Sequence, residues 1–178
     1  MNGWKTTSSK TVHKNPYYRI IKENVVRPDG SKGEFYKLDK GHGVVIIAYD
    51  GKRIIFENLY RQAFRSKTWE LPAGKSDTSN QLKEAKRELK EETGITAKRW
   101  TFLGKFACGP GHTDHMGNAF LAENLTFGKH SREAGEQGMV VKAFSLKHID
   151  EMIKSGKIND SWAITPLYLF KQYLKDRK

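Results

Sequence analysis

Residues 69–95, WELPAGKSDTSNQLKEAKRELKEETGI, constrain the fold more than any other stretch, because one helix there must bury an apolar stripe and carry four glutamates beside it. Leu82, Ala85 and Leu89 recur at helical spacing, Asp77, Thr78, Ser79 and Asn80 offer N-caps, and Gly94 offers a stop. Glu84, Glu88, Glu91 and Glu92 fall at i, i+4, i+7 and i+8, on one face next to that stripe. Two carboxylates about 4 Å apart repel by about 4 kcal/mol at an effective dielectric near 20, so such a face needs a cation, a basic neighbour or protonation. A divalent metal meets the need, since carboxylate oxygens are hard ligands suited to Mg²⁺ or Mn²⁺. Lys83, Lys86, Arg87 and Lys90 offer the alternative of a solvated face laced with i,i+4 ion pairs, and the charge pattern by itself favours that alternative.

The order of the residues reverses the preference. RELKEETGI, from Arg87 to Ile95, resembles the second half of the Nudix hydrolase signature G-x5-E-x7-R-E-U-x-E-E-x-G-U, where U is aliphatic, with every specified position filled. The first half departs from it: counting from Gly74, the early Glu falls on Asn80 and Arg87 arrives one residue soon, so the loop is shortened by one. The resemblance covers about Tyr17 to Phe170. It implies an α/β fold, a Nudix-type α/β/α sandwich with a mixed sheet and an N-terminal antiparallel hairpin region. It also implies Glu88, Glu91 and Glu92 as metal ligands with the Ala73 carbonyl, Mg²⁺ as cofactor with Mn²⁺ as substitute, and Arg87 orienting or screening the glutamates.

A length of 178 residues, 37% hydrophobic, suits a single domain spanning 1–178, with an irregular or edge-strand lead-in at 1–16, N-terminal strands at 17–42 and the core at 43–178. No run of about 18 apolar residues and no signal-like start is seen, so a cytoplasmic protein without a membrane segment is expected. The lone Cys108 predicts a reduced structural thiol. Thirty-two basic against 20 acidic residues give +12, which favours polyanionic ligands. The basic residues are dispersed, so solubility explains them as well as nucleic-acid binding does.

Along the chain, Tyr17–Val26 and Glu34–Leu38 flank a Pro28-Asp29-Gly30 turn, and Gly43–Tyr49 and Arg53–Leu59 flank Asp50-Gly51, predicting two successive hairpins. Arg99–Ala107 predicts a strand, followed by a Gly/Pro loop from Cys108 leading into another strand; Lys129–Gly138 reads as a polar loop before a strand at Met139–Phe144. Helices are expected over Ser145–Ser155 and Ser161–Lys175, the second packing through Trp162, Leu167, Leu169 and Phe170. His112 and His115 read as loop histidines rather than metal ligands, lacking a helical frame to aim them.

LYRQAFRSKTWELPAG and PGHTD resemble the ADP-ribose pyrophosphatase branch, which carries a phosphate-binding Arg before ELPAG and a marker proline after the box. By distance to Glu70, Arg61 matches that Arg, with Arg65 second; pairing with Glu57 or Glu70 is expected of Arg65 rather than Arg61. Pro110 fits the marker, whereas the Tyr of the diadenosine-polyphosphate branch is replaced by His112 and Thr113. The resemblance further implies substrate contact at Gly74, adenine stacking by Tyr17 and Phe35 across a homodimer, and a loop Glu as base, Glu136 ahead of Glu133. The activity implied is hydrolysis of a nucleoside diphosphate sugar, ADP-ribose first. GDP-mannose, capped or triphosphorylated RNA ends and a non-catalytic sensor remain as alternatives.

Overall fold

The structure, a computed structural model, describes residues 3–76, 79–132 and 134–177, and its contacts divide the chain into two compact units. The first comprises Met1–His42 and Ala107–Met116. Its sheet runs β1 (Lys5–Lys14), β2 (Arg19–Val26) and β3 (Lys32–Asp39), antiparallel and in chain order. The β2–β3 hairpin closes as the turn residues predict: Arg27 N–H donates to the Ser31 carbonyl at 2.8 Å, the Asp29 carboxylate accepts from Ser31 N–H, and Gly30 takes φ +84°. The lead-in is not irregular. It forms the exposed edge strand β1, preceded by Trp4, which packs edge-on against Phe35 at 6.2 Å and lies under the Arg27 guanidinium. The loop Cys108–His115 joins this unit through Leu38 N–H to the His112 carbonyl. His115 is buried, with Nδ1 bonded to the Gly41 carbonyl, and so ties the loop to the segment after β3.

The second unit, Gly43–Phe106 with Gly117–Lys178, holds two sheets. One has the order β7-β4-β9-β8, from β4 (His42–Ala48), β7 (Ala73–Ser76), β8 (Ile95–Ala107) and β9 (Met116–Phe127), with β4 and β9 parallel from Gly43↔Gly117 to Ala48↔Ala122. The other, antiparallel, has β5 (Arg53–Arg61) between β6 (Ser66–Glu70) and β10 (Val140–Ser145). The second expected hairpin is thereby corrected. The Asp50-Gly51 turn forms, with Asp50 N–H donating to Arg53 O and the Asp50 carboxylate accepting from Lys52 and Arg53 N–H, but only Tyr49 and Ile54 bridge across it. Both strands are apolar on both faces, Val44–Ala48 and Ile54–Phe56 being buried throughout. Each therefore gains more from a separate sheet with covered faces than from a ladder with the other.

Helices α1 (Gln81–Thr93), α2 (Leu146–Lys154) and α3 (Ser161–Asp176) complete the unit. Ala85 and Leu89 of α1 pack with Val44, Ile46, Ala48, Ile55, Ile95, Phe120 and Ala122, and burying a side chain such as Leu89 contributes about 1.5–3 kcal/mol. Asp160 caps α3, which buries Ala163, Pro166, Leu167 and Phe170; Trp162 and Leu169, expected on the same face, are only half-buried. No described helix is long and apolar enough to cross a membrane.

Candidate active site

The carboxylates are aimed by how α1 begins and ends. Asn80, standing where the signature has its early Glu, accepts from Lys83 N–H at 3.0 Å and caps the helix; Asp77 and Thr78 lie outside the described residues. At the other end Gly94 adopts φ +75° and donates to the Lys90 carbonyl. A Cβ there would meet the Gly128 carbonyl at 2.3 Å, so the signature glycine is needed both for its left-handed turn and for the passage of the next loop.

Between these caps the glutamates sink into the protein: Glu84 and Glu88 are 9% exposed and Glu92 6%. Arg87 binds three carboxylates at once, Nε to Glu84 at 3.0 Å, Nη1 to Glu91 at 2.6 Å and Nη2 to Glu88. Glu92 instead accepts from Ala73 N–H at 3.1 Å. Glu88 packs on the α-carbon of Gly74, where an added Cβ would fall 2.0 Å from its carboxyl group. The ELPAG turn thus touches both glutamates through backbone, which only a small residue at 74 permits.

Electrostatically the cluster is strained. Burial, then the neighbouring charges of Glu57, Glu88 and Glu136, pushes the Glu92 carboxyl far above its ordinary value. Burial likewise raises Glu88, against the opposing pull of Arg87. Glu136, at the end of a short 3₁₀ turn (Ala134–Glu136), is within electrostatic reach of both. Its loop is tied to the end of α1, Arg132 donating to the Glu92 carbonyl at 2.8 Å and to Met139 O at 2.7 Å, and Ser131 N–H to Glu91 O at 2.9 Å. Glu133 lies outside the described residues.

Two residues depart from the sequence reading. Arg61, not Arg65, holds the carboxylate: β5 and β6 pair with Arg61 opposite Ser66 and Glu57 opposite Glu70, which puts Arg61 and Glu70 on one face, and the long guanidinium reaches along it to fork onto Glu70 at 2.9 and 2.6 Å, whereas Arg65 sits at φ +50° in the exposed turn between the strands. Burial pushes Glu70 up, but Arg61 and Thr68 more than offset it and leave the carboxyl below its ordinary value. Glu57, absent from the expected site, is 2% exposed, and burial followed by the charge of Glu136 drives its carboxyl up to about 8. The signal that could have found it is a charged residue inside the doubly buried run Ile54–Leu59. The structure thus gathers Ala73, Gly74, Arg87, Glu88, Glu91, Glu92, Glu136 and Arg61 in one unit; Tyr17, 78% exposed, Phe35 and Pro110 belong to the other.

Among the described residues, no three acidic, His or Cys groups already stand as an ion cage, Arg87 holding three of the glutamates. The donor set nevertheless fits a hard divalent cation, being all oxygen, crowded with like charge, and including a buried Glu57 oxygen, Oε1, with no hydrogen-bond partner among the described residues.

The architecture matches the crystal structure of an ADP compounds hydrolase with a TM-score of 0.88 over 99% of this chain and 97% of that one, at 19% identity, a likeness of fold. A model of the nucleoside diphosphate sugar hydrolase N-terminal domain matches residues 4–38 and the NUDIX domain model matches residues 39–153. Among curated proteins, the ADP-ribose pyrophosphatase of Bacillus subtilis (strain 168) is 32% identical over 98% of this chain and 97% of its own length. That of Mycobacterium tuberculosis (strain ATCC 25618 / H37Rv) is 28% identical over 90% and 80%. The chain belongs to the Nudix family, and it is a Nudix hydrolase.

Proposed function

We propose that the protein hydrolyses the diphosphate bond of a nucleoside diphosphate sugar, converting ADP-ribose to AMP and ribose 5-phosphate with Mg²⁺, or Mn²⁺ in its place. The observation that carries this reading is the buried glutamate cluster of α1 pressed against Ala73 and Gly74, together with the substrate named for two curated relatives. Glu88, Glu91 and Glu92, with the Ala73 carbonyl, are the residues that would hold the cation. A bound cation would neutralise diphosphate charge and lower the pKa of a coordinated water.

This chain's own groups do the rest. Arg87 screens the repulsion among Glu84, Glu88 and Glu91 and orients them by bonding all three. Glu136 takes the proton from the attacking water as its oxygen bonds to one phosphorus and the bond from that phosphorus to the bridging oxygen breaks, leaving the bridging oxygen on the other phosphate. Arg61, preset as a planar fork by Glu70, meets the phosphate charge from β5, with Arg65 in the adjoining turn as a second cation. Pro110 shapes the recognition loop, and Tyr17 and Phe35 stack on the base in a homodimer, which accords with the exposure of Tyr17. The excess of +12 favours an anionic substrate.

The test is release of phosphate monoester from ADP-ribose, GDP-mannose, NADH, diadenosine polyphosphates and triphosphorylated RNA, with Mg²⁺, for the wild type and Glu92→Gln. Metal-dependent AMP release from ADP-ribose, lost in the variant, is the expected result. Release from GDP-mannose or RNA alone would reassign the substrate, and binding of ADP-ribose with no turnover would make the protein a sensor.

A further inference from the structure

Glu57 lies outside the signature and in the middle of β5, the central strand of its sheet, opposite Glu70 on β6 and Val141 on β10. Strands on both sides exclude water from that position, and the residue is 2% exposed. Side chains alternate along a strand, so Glu57 shares a face with Ile55, which belongs to the same buried cluster as Ala85 and Leu89 of α1. Glu92 continues the Ala85–Leu89 stripe by one further helical step, as Glu57 continues the strand face from Ile55. Two carboxylates, one from the strand and one from the helix, thus extend the same packed interface beyond its apolar part.

Neither nearby arginine satisfies Glu57. Arg61 is committed to Glu70 by two bonds, and Arg132 donates to the backbone carbonyls of Glu92 and Met139. Oε1 is fully buried and accepts no hydrogen bond from any described residue. A carboxylate oxygen without a donor, deep in the protein and facing further glutamates, calls for a positive partner that is small and hard enough to fit.

Resting on the metal-dependent reading above, we infer that Glu57 is a further ligand of the divalent cation, presenting Oε1 from β5 toward the ion held by the box glutamates on α1. The site is then clamped between helix and sheet instead of being carried by one helix. Cation binding is coupled to the packing of β5 against α1, and the affinity depends on a residue that no box motif contains.

Binding of Mn²⁺ to the full-length protein without substrate, followed by the electron paramagnetic resonance signal of the free ion, tests this directly. Glu57→Gln, which keeps the shape and removes the charge, should weaken Mn²⁺ binding by about 10–100-fold. Its melting temperature without metal should stay the same or rise, because a neutral amide spares the cost of burying a carboxylate there. Glu57→Asp should bind with intermediate affinity. Unaltered affinity in Glu57→Gln, with the wild type binding normally, overturns this inference alone, and absence of Mn²⁺ binding by the wild type overturns the metal reading with it. Should the variants not fold, anomalous scattering from Mn²⁺ in wild-type crystals decides: a peak within about 2.5 Å of a Glu57 oxygen supports the assignment, and a peak farther than that from both Glu57 oxygens refutes it.

Discussion

Replacing Gly74 by alanine separates folding from function at this site. The added Cβ falls 2.0 Å from Cδ and Oε1 of Glu88 and 2.5 Å from its Cγ. Favourable contacts between such atoms lie near 3.5 Å, so the carboxylate must retreat by roughly 1.5 Å. The atoms displaced are the far end of a flexible side chain, and the backbone at 74 is not in the left-handed region, so the fold can absorb the change. Moving Glu88 off its rotamer costs about 0.5–1.5 kcal/mol, against about 0.4–1 kcal/mol contributed by stiffening the unfolded chain. The melting temperature should therefore move by no more than about 4 °C. Metal ligands tolerate about 0.2 Å, and a misplacement of about 1 Å in reacting groups costs on the order of 10²-fold in rate, or about 2.7 kcal/mol. Measured together, kcat for AMP release and the Kd for Mn²⁺ should both worsen while the melting temperature holds. Wild-type kcat and Kd in Gly74→Ala would refute the placement of Glu88, and a variant that does not fold would refute the claim that the flexible end of Glu88 absorbs the change.

Asn80→Ala removes the only side-chain cap described at the start of α1 and should cost about 0.5–2 kcal/mol, read by denaturant unfolding; no change would mean that the helix start is held by other contacts. Arg61→Lys keeps the charge but loses the fork, and should raise KM for ADP-ribose more than it lowers kcat, an unchanged KM removing Arg61 from phosphate contact. Tyr17→Ala should likewise raise KM with little effect on melting, since the ring is exposed. Burial lowers the His115 pKa below its ordinary 6.5, so the folded protein resists protonation more than the unfolded chain. Its contribution to stability is then complete above about pH 6.5 and declines as pH falls through the depressed value. His115→Asn, which can still donate toward the Gly41 carbonyl, should flatten the fall in melting temperature on acidification, and parallel curves for both proteins would exclude His115 as the cause.

What could be read in the sequence was local. The α1 boundaries follow from a cap at Asn80, a stop at Gly94 and the spacing of Leu82, Ala85 and Leu89, all within one helix. The β2–β3 turn is likewise written in Asp29 and Gly30, whose conformations depend on few distant contacts. The turn at Asp50-Gly51 was equally legible and equally real, yet it did not determine the pairing of the strands beside it. A two-residue turn sets direction reversal, while the choice of ladder partner depends on which faces need covering, and for Gly43–Tyr49 and Arg53–Leu59 both faces do.

The same distinction explains why the Arg61–Glu70 pair and the burial of Glu57 were not legible in the sequence. Arg61 lies nine residues before Glu70, and nothing in that spacing says whether they meet; the antiparallel register of β5 on β6 decides it, with Arg61 opposite Ser66 and Glu57 opposite Glu70. A one-residue slip would turn these side chains to the other face and free Arg61 from its partner. Glu57 carries the argument further, because its meaning comes from two separate facts of the folded chain: β5 is central in its sheet, and Ile55 on the same face belongs to the buried cluster that holds Ala85 and Leu89 of α1. A motif search sees the helix half of the acidic cluster because those residues are close in sequence. The strand half is visible only once the chain has folded, although a lone glutamate within Ile54–Leu59 already marks a position where burial must be compensated by something the apolar neighbours do not supply.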